Sequence, residues 1–309
     1  MLESGPSSPL VSVVTPSLNQ CETISATLES VRRQTYPHIE HIVVDGGSSD
    51  GTLEILREAG ANGSLRWTSE PDSGMYDAIN KGLAGAGGEI FAYLNSDDTW
   101  FPWTVQKAVD ALRRHPKAGF VFGDLLTVDL SGELHLEFYG PFRLAYLRRQ
   151  GFIGQPTVFL RREVWEREGP FDASLQFVGD CDYWMRIGRR FPGRKVNEVL
   201  ALQRNHPAAK RFAQGEALAD ELDAVRARYP RPGPVLGHAE RLEISLWRRI
   251  FTVTVLFKVL TGRIGTGSWS SFLGDPEIRR SVAPLRLAAT TLPFVGRRFT
   301  GGAIGRSPL

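Results

Sequence analysis

Two adjacent carboxylates close the run Leu94-Asn95-Ser96-Asp97-Asp98, immediately after an apolar stretch beginning at Ile90. Paired acids at the end of a buried strand repel one another unless a cation compensates them. Mg²⁺ takes one or two protein carboxylates and completes its shell with waters and substrate phosphates, and Mn²⁺ suits the same oxygens. The same two residues also suit N-capping of the helix-period segment that follows. A second stretch, Asp45-Gly46-Gly47-Ser48-Ser49-Asp50-Gly51-Thr52, is built of small residues whose backbone amides can approach a polar ligand closely. No Gly-Lys-Ser/Thr and no Gly-x-Gly-x-x-Gly occurs in it, which weighs against kinase and dinucleotide chemistry. A third runs from Ser69-Glu70-Pro71-Asp72-Ser73-Gly74 into Met75 to Gly82, where Asn80 and Lys81 either address a ligand or form a polar helix face.

The elements that must position these residues are legible as periodicity. Strand patterns cover Val11 to Thr15, His41 to Val44, Leu65 to Thr68 and Ile90 to Leu94. Helix-period segments alternate with them, carrying Ile24, Leu28 and Val31, then Leu53 and Leu56, then Tyr76, Ile79 and Leu83, then Val105, Val109 and Leu112. This β-α-β-α order predicts an α/β fold with a mainly parallel twisted sheet flanked by helices. In such sheets ligands bind beyond the carboxyl ends of the strands, which gathers Thr15, Asp45, Glu70 and Asn95 to Asp98 along one rim. After Gly119 the pattern changes to Phe120-Val121-Phe122 and a hairpin around Ser131-Gly132, expected to shape the side facing a second substrate.

The chain has 309 residues and 42% hydrophobic content, enough for one large α/β domain with an appendage. Lys and Arg outnumber Asp and Glu by only 37 to 34, too small an excess for a nucleic-acid binder. Two cysteines, Cys21 and Cys181, exclude a disulfide scaffold and fit a reducing compartment. The first ten residues lack a positive region followed by an apolar core, so the expectation is a cytoplasmic protein.

In their order along the chain, Val11 to Asn19, Val43 to Thr52, Ser69 to Gly82 and Leu94 to Trp100 resemble the GT-A-fold glycosyltransferases of sequence family 2. The resemblance continues through Gly154-Gln155-Pro156-Thr157-Val158-Phe159 and Gly179-Asp180-Cys181-Asp182-Tyr183-Trp184-Met185-Arg186, and spans roughly residues 9 to 210. It implies an inverting transfer of a sugar from a nucleotide-sugar donor to a hydroxyl of a glycan or lipid-linked acceptor. Asp98 becomes the metal ligand, with Mg²⁺ or Mn²⁺, and Asp97 the ribose contact; Asn95 stands where the family usually has a further Asp. Donor-side positions are Thr15, Asn19, Asp45, Asp72, Asn80, Lys81 and Asp97, although Asp45-Gly46 replaces the usual nucleobase-contacting acidic pair. Asp180 matches the family's catalytic base, with Asp182 as the alternative, and Gly179 takes the place of the Glu that usually precedes it. An Asp at this position also caps the helix carrying Tyr183, Trp184 and Ile187, and the two roles are compatible. Gln155, Trp184 and Arg186 fall on the acceptor side, where a core Trp and an ion-pairing Arg are the competing readings; His206 falls near the donor phosphates or metal, or is an exposed loop histidine. Rival functions are a nucleotidyltransferase, which would release pyrophosphate, and a noncatalytic sugar-nucleotide-binding or membrane scaffold protein, which would bind donor without turnover.

The expected domain organisation is a catalytic domain at 9–228, a Pro/Gly-rich linker at 229–235 and a helical, basic and partly apolar tail at 236–309. The tail places Trp247, Phe251, Val255, Phe257 and Leu260 among Arg248, Arg249 and Lys258. That mixture predicts an interfacial helix lying on an anionic membrane surface at the inner face of the cell membrane, with packing on the domain or on a partner as the alternative. Full-length protein should sediment with anionic liposomes, and deletion of residues 236–309 should release it while donor binding survives. A liposome-free full-length protein would remove the membrane assignment.

Overall fold

The computed structural model describes residues 8–61, 63–128, 132, 134–137, 139–150, 153–204, 215–229 and 242. The chain divides into two compact units, one of residues 1–126 and 137–230, the other of residues 127–136 and 231–309. The first unit holds all of the acidic and glycine-rich stretches singled out in the sequence. His206 and all of the tail except Leu242 lie outside the described residues.

The elements follow in the order β1 (Val11–Ser17), α1 (Ile24–Arg32), β2 (Ile39–Asp45), α2 (Thr52–Gly60), β3 (Leu65–Ser69), α3 (Met75–Ala84), β4 (Ile90–Tyr93), β5 (Thr99–Trp100) and α4 (Thr104–Arg114). Then come β6 (Phe120–Val128), β7 (Leu134–Glu137), α5 (Leu144–Gln150), a 3-10 turn at Gln155–Thr157, β8 (Phe159–Arg161), α6 (Arg162–Glu168), α7 (Gly179–Ile187), β9 (Gly193–Arg204) and α8 (Gly215–Arg228). The sheet order is β3-β2-β1-β4-β8-β6-β9-β5, with β7 paired to β6 as the expected hairpin. Strands β3, β2, β1 and β4 run parallel, whereas β8 is antiparallel to β4 and β6, and β5 is antiparallel to β9.

The parallel half is covered on both faces, which explains its near-continuous apolar strands. One face packs Val43 and Leu65 against Ile24, Leu28 and Leu56 of α1 and α2. The larger core joins β1 and β4 to α3, α4, β6 and α7. Helix α3 comes close to β1 at Gly82, where a Cβ would stand 2.5 Å from Cγ1 of Val14, so only glycine permits this approach.

The chain winds outward from β1 through β2 to β3, then returns to the opposite side of β1 with β4. This reversal opens a crevice at the carboxyl ends of β1 and β4. Register brings Ser17, Asp45 and Ser69 side by side on that rim, and Leu94 donates to the carbonyl of Val14 at the other edge.

Candidate active site

Three loops leave the rim together, and one buried carboxylate organises them. Asp45, fully buried at the end of β2, accepts hydrogen bonds from the Gly47 and Ser48 amides (3.0 and 2.8 Å) and from the hydroxyls of Ser48 and Ser69 (2.5 and 2.7 Å). The Ser48 hydroxyl in turn accepts from the Asn19 amide at 2.7 Å, and Asn19 Oδ1 accepts from the Ser49 amide at 2.9 Å. Asn19 adopts φ 52°, a left-handed conformation that asparagine tolerates well. Asp45 and Asn19 therefore build the loop scaffold. Thr15 is also buried, and it shares a 2.9 Å hydrogen bond with Nε2 of His41. Burial holds that imidazole's pKa down at about 4, so the pair is a neutral tie between β1 and β2.

Asp72 lies against the bare face of Gly46, where a Cβ would stand 2.8 Å from its Oδ2. Its other oxygen accepts the Gly74 amide at 2.9 Å. The partly exposed carboxylate of Asp72 thus occupies the space beside Asp45 that a second acidic side chain would take.

The acidic turn follows β4 and is closed by the Asp98 amide donating to the Asn95 carbonyl at 3.1 Å. Thr27 of α1 donates to the Asp98 carbonyl at 2.8 Å, and β5 pins the turn to β9 through Thr99 opposite Leu202 and Trp100 opposite Ala201. Asp98 is 1% exposed; its carboxylate accepts long contacts from the Arg204 amide (3.3 Å) and the Gln203 side chain (3.5 Å). Asp97 stays partly exposed. Asn95 donates to Gln155 Oε1 at 3.4 Å, while its own Oδ1 is a buried acceptor without a hydrogen-bond partner. An oxygen-only set with an unsatisfied acceptor fits a hard divalent cation. Among the described residues no group of three or more His, Cys, Asp or Glu side chains is placed to hold a metal, so such an ion would rely on few protein ligands and on substrate oxygens.

Asp180 stands in the first turn of α7. Burial pushes its carboxyl up to about 6, against the opposing pull of the Cys181 amide at 2.8 Å and of the more distant Tyr76 hydroxyl. A carboxylate poised near neutrality is suited to taking a proton. Asp182 differs sharply. It is 3% exposed and closed by Arg228 (3.3 Å) and by the Tyr229 hydroxyl (3.0 Å), an arrangement that anchors α8 on α7 and leaves it unsuited to be the base. Glu221 of α8 gathers the amides of Gln176, Phe177 and Val178 (2.5, 2.7 and 3.2 Å), fixing the approach to Asp180.

Several side chains expected at the substrates have structural roles here. Asn80 pairs both ends of its amide with the backbone of Phe171 (2.8 and 2.9 Å) and is fully engaged. Lys81 bridges Glu70 and Asp77 at 3.3 and 3.4 Å, bracing the loop that carries Asp72. Trp184 is buried among Phe120, Phe171 and Tyr183 instead of lining an acceptor surface. Arg186 donates to the carbonyls of Glu168 and Pro170 (2.7 and 2.6 Å) and stacks over Tyr183, which likewise takes it away from the acceptor side. Gln155 is buried and donates to the Tyr93 carbonyl at 2.9 Å, so it reaches the site through Asn95. Cys21 and Cys181 are both free thiols.

Residues 12–162 match the Glycosyl transferase family 2. An uncharacterized glycosyltransferase of Mycobacterium tuberculosis is 45% identical over 263 residues, covering 80% of this chain and 98% of its own length. A Bacillus subtilis glycosyltransferase named for teichuronic acid biosynthesis is 35% identical, covering 62% of this chain and 78% of its own. Among solved structures, a mannosyltransferase of Pyrobaculum calidifontis in complex with GDP-Man and Mn²⁺ superposes with a TM-score of 0.56 at 20% identity, over 88% of this chain and 82% of that one. The shared architecture is a GT-A-like α/β fold.

The role of Asn80 separates scaffold from contact. Asn80→Ala leaves the amide and carbonyl of Phe171 without their partners and should cost about 1–3 kcal/mol of stability, measured by denaturant unfolding, with donor affinity of the folded fraction unchanged. A selective loss of donor affinity at full stability would return Asn80 to the donor site.

Proposed function

The chain belongs to glycosyltransferase family 2, and from that premise we propose that it moves a sugar from a nucleoside-diphosphate donor to a hydroxyl of a glycan or lipid-linked acceptor, with inversion, in surface polysaccharide or glycolipid synthesis. The observation that carries the reading is the pairing of two unlike acidic sites: a strand-end turn at Asn95 to Asp98 with a spare buried oxygen, and the Asp180 carboxylate at the head of α7, which burial pushes up to about 6. The donor class is supported by the GDP-Man held by the Pyrobaculum calidifontis neighbour, and the product class by the name of the Bacillus relative.

In this reading Asp180 accepts the proton of the acceptor hydroxyl while that oxygen forms its bond to the anomeric carbon and the carbon–oxygen bond to the diphosphate breaks. One in-line displacement inverts the centre. Asp98 would hold a Mg²⁺ or Mn²⁺ ion, which when bound supplies countercharge to the departing diphosphate, and Asp97 faces the ribose. Asp45 and Asn19 shape the loops around the nucleotide, and Asp72 offers a carboxylate beside Gly46 for donor hydrogen bonds on the base. No helix among the described residues is long and apolar enough to cross a membrane, so the proposed inner-membrane location rests on the tail.

The functional test is a donor panel assayed for hydrolysis and transfer with Mg²⁺ or Mn²⁺, reading the nucleotide released; pyrophosphate as product would replace transfer of a sugar by transfer of a nucleotidyl group. Asp98→Asn should abolish metal-dependent donor binding in calorimetry while the melting transition persists, and unchanged metal-dependent affinity would dismiss Asp98 as a ligand. Asp180→Asn should reduce turnover at least about 100-fold with donor affinity retained. Because Asp180 must be ionised to accept a proton, wild-type kcat/KM should rise with pH through a midpoint near 6 and level off above it. Wild-type turnover in Asp180→Asn would remove it from the chemistry.

A further inference from the structure

Tyr76 belongs to α3, directly behind the Ser69–Gly74 loop, yet its ring lies under the first turn of α7 more than 100 residues away. It is 2% exposed and stacks on Phe171 with centroids 5.9 Å apart and planes 14° apart. Its hydroxyl accepts a hydrogen bond from the Asp180 amide at 3.2 Å. The hydroxyl proton then has two acceptors at nearly equal distance, the Phe177 carbonyl at 3.4 Å and Asp180 Oδ1 at 3.5 Å.

The ring fits there because position 179 has no side chain. A Cβ on Gly179 would stand 2.6 Å from Cε2, 2.8 Å from Cζ and 2.9 Å from Cδ2 of Tyr76, so the tyrosine and any side chain at 179 exclude one another. These contacts tie three facts together: a glycine directly before the proposed base, an aromatic ring in the space it leaves, and a hydroxyl aimed at both the amide and the carboxylate of the next residue.

We propose that Tyr76 is a positioning residue for Asp180, its hydroxyl orienting the carboxylate for proton acceptance from the space left by Gly179. This rests on the reading of Asp180 as the general base. A phenol carries one donor proton and two acceptor lone pairs, so Tyr76 holds the amide of Asp180 in either protonation state and offers its proton to the carboxylate once that is ionised. When Asp180 takes up the acceptor's proton, the phenol proton turns to the Phe177 carbonyl. Other groups facing Asp180 are Tyr93 of β4, Glu221 of α8 and Cys181 on its own helix. Burial pushes the Cys181 thiol up to about 12, and Glu221 opposes ionisation of Asp180, so neither favours the charged base. The hydroxyl of Tyr76 supplies the side-chain hydrogen bond that does.

The test compares Tyr76→Phe, Gly179→Ala and Asp180→Asn in the full chain. Tyr76→Phe keeps the ring and its stack, so the protein should fold. Its kcat should fall about 10-fold with donor KM within about 2-fold of wild type, and the acid limb of kcat/KM should move up by about half to one pH unit, because the ionised carboxylate has lost a donor. Gly179→Ala, which displaces the ring, should move the limb in the same direction, and the double variant should be less than additive. An unmoved limb in Tyr76→Phe overturns the proposal, even if kcat falls, because loss of packing alone leaves the limb in place. Wild-type turnover in Asp180→Asn sinks the base assignment itself, an outcome distinct from an inactive Asp180→Asn beside a Tyr76→Phe enzyme with an unchanged profile.

Discussion

Removing a carboxylate from water is so unfavourable that the chain must bring donors to it, and that requirement shapes the whole rim of this sheet. Asp45, Asp98 and Asp182 are each no more than 3% exposed. Each is answered differently. Asp45 collects amides and hydroxyls from two loops, Asp98 meets the end of β9, and Asp182 meets an arginine and a tyrosine at the end of α8. The loops after β1, β2 and β3, the antiparallel attachment of β5 to β9 and the docking of α8 are all consequences of satisfying these acids. Asp180 is the exception: burial raises its affinity for a proton, and the Cys181 amide and the long Tyr76 hydroxyl contact offset that rise only in part.

The parallel half of the fold was readable from periodicity, because strands buried on both faces are β-branched and apolar along their whole length. The four strand patterns match β1 to β4 with ends shifted by one or two residues. The antiparallel half was less legible. Strands β5 and β8 contain two and three residues, too few for any pattern, and their places in the sheet are set by pairing with β9, β4 and β6. At the site, the ordered motifs identify the rim but not the direction of each side chain. Thr15 and Asn80 sit within such motifs, yet one turns into the sheet toward His41 and the other onto the backbone of Phe171. Glu221 lies about 45 residues from the amides it binds, and nothing local in its helix marks that role. Gly179 is the available clue to Tyr76, since a missing side chain beside a buried carboxylate implies that something else occupies its volume.

Polar contacts tie the parallel half of the sheet and its loops to the elements that follow it. Asn95 reaches Gln155, Trp100 donates its indole N–H to the Pro156 carbonyl at 2.7 Å, and Tyr76 reaches Asp180. The pairing of Asn80 with Phe171 and of Asp98 with Gln203 and Arg204 adds to these ties.

The raised proton affinity of Asp180 also bears on how the protein withstands acid. An unfolded chain releases this proton near the ordinary aspartate pKa of 3.8, whereas the folded chain keeps it until about 6. Between those values the folded state binds more protons, so this group favours folding most at low pH and withdraws that support as pH rises through 6. The sign is opposite to that of an aspartate held in an ion pair such as Asp172, whose pKa is lowered, chiefly by the Ser174 hydroxyl and further by Arg228. This buried carboxylate is therefore a local source of instability at neutral pH, and an uncharged residue in its place would make a sturdier fold.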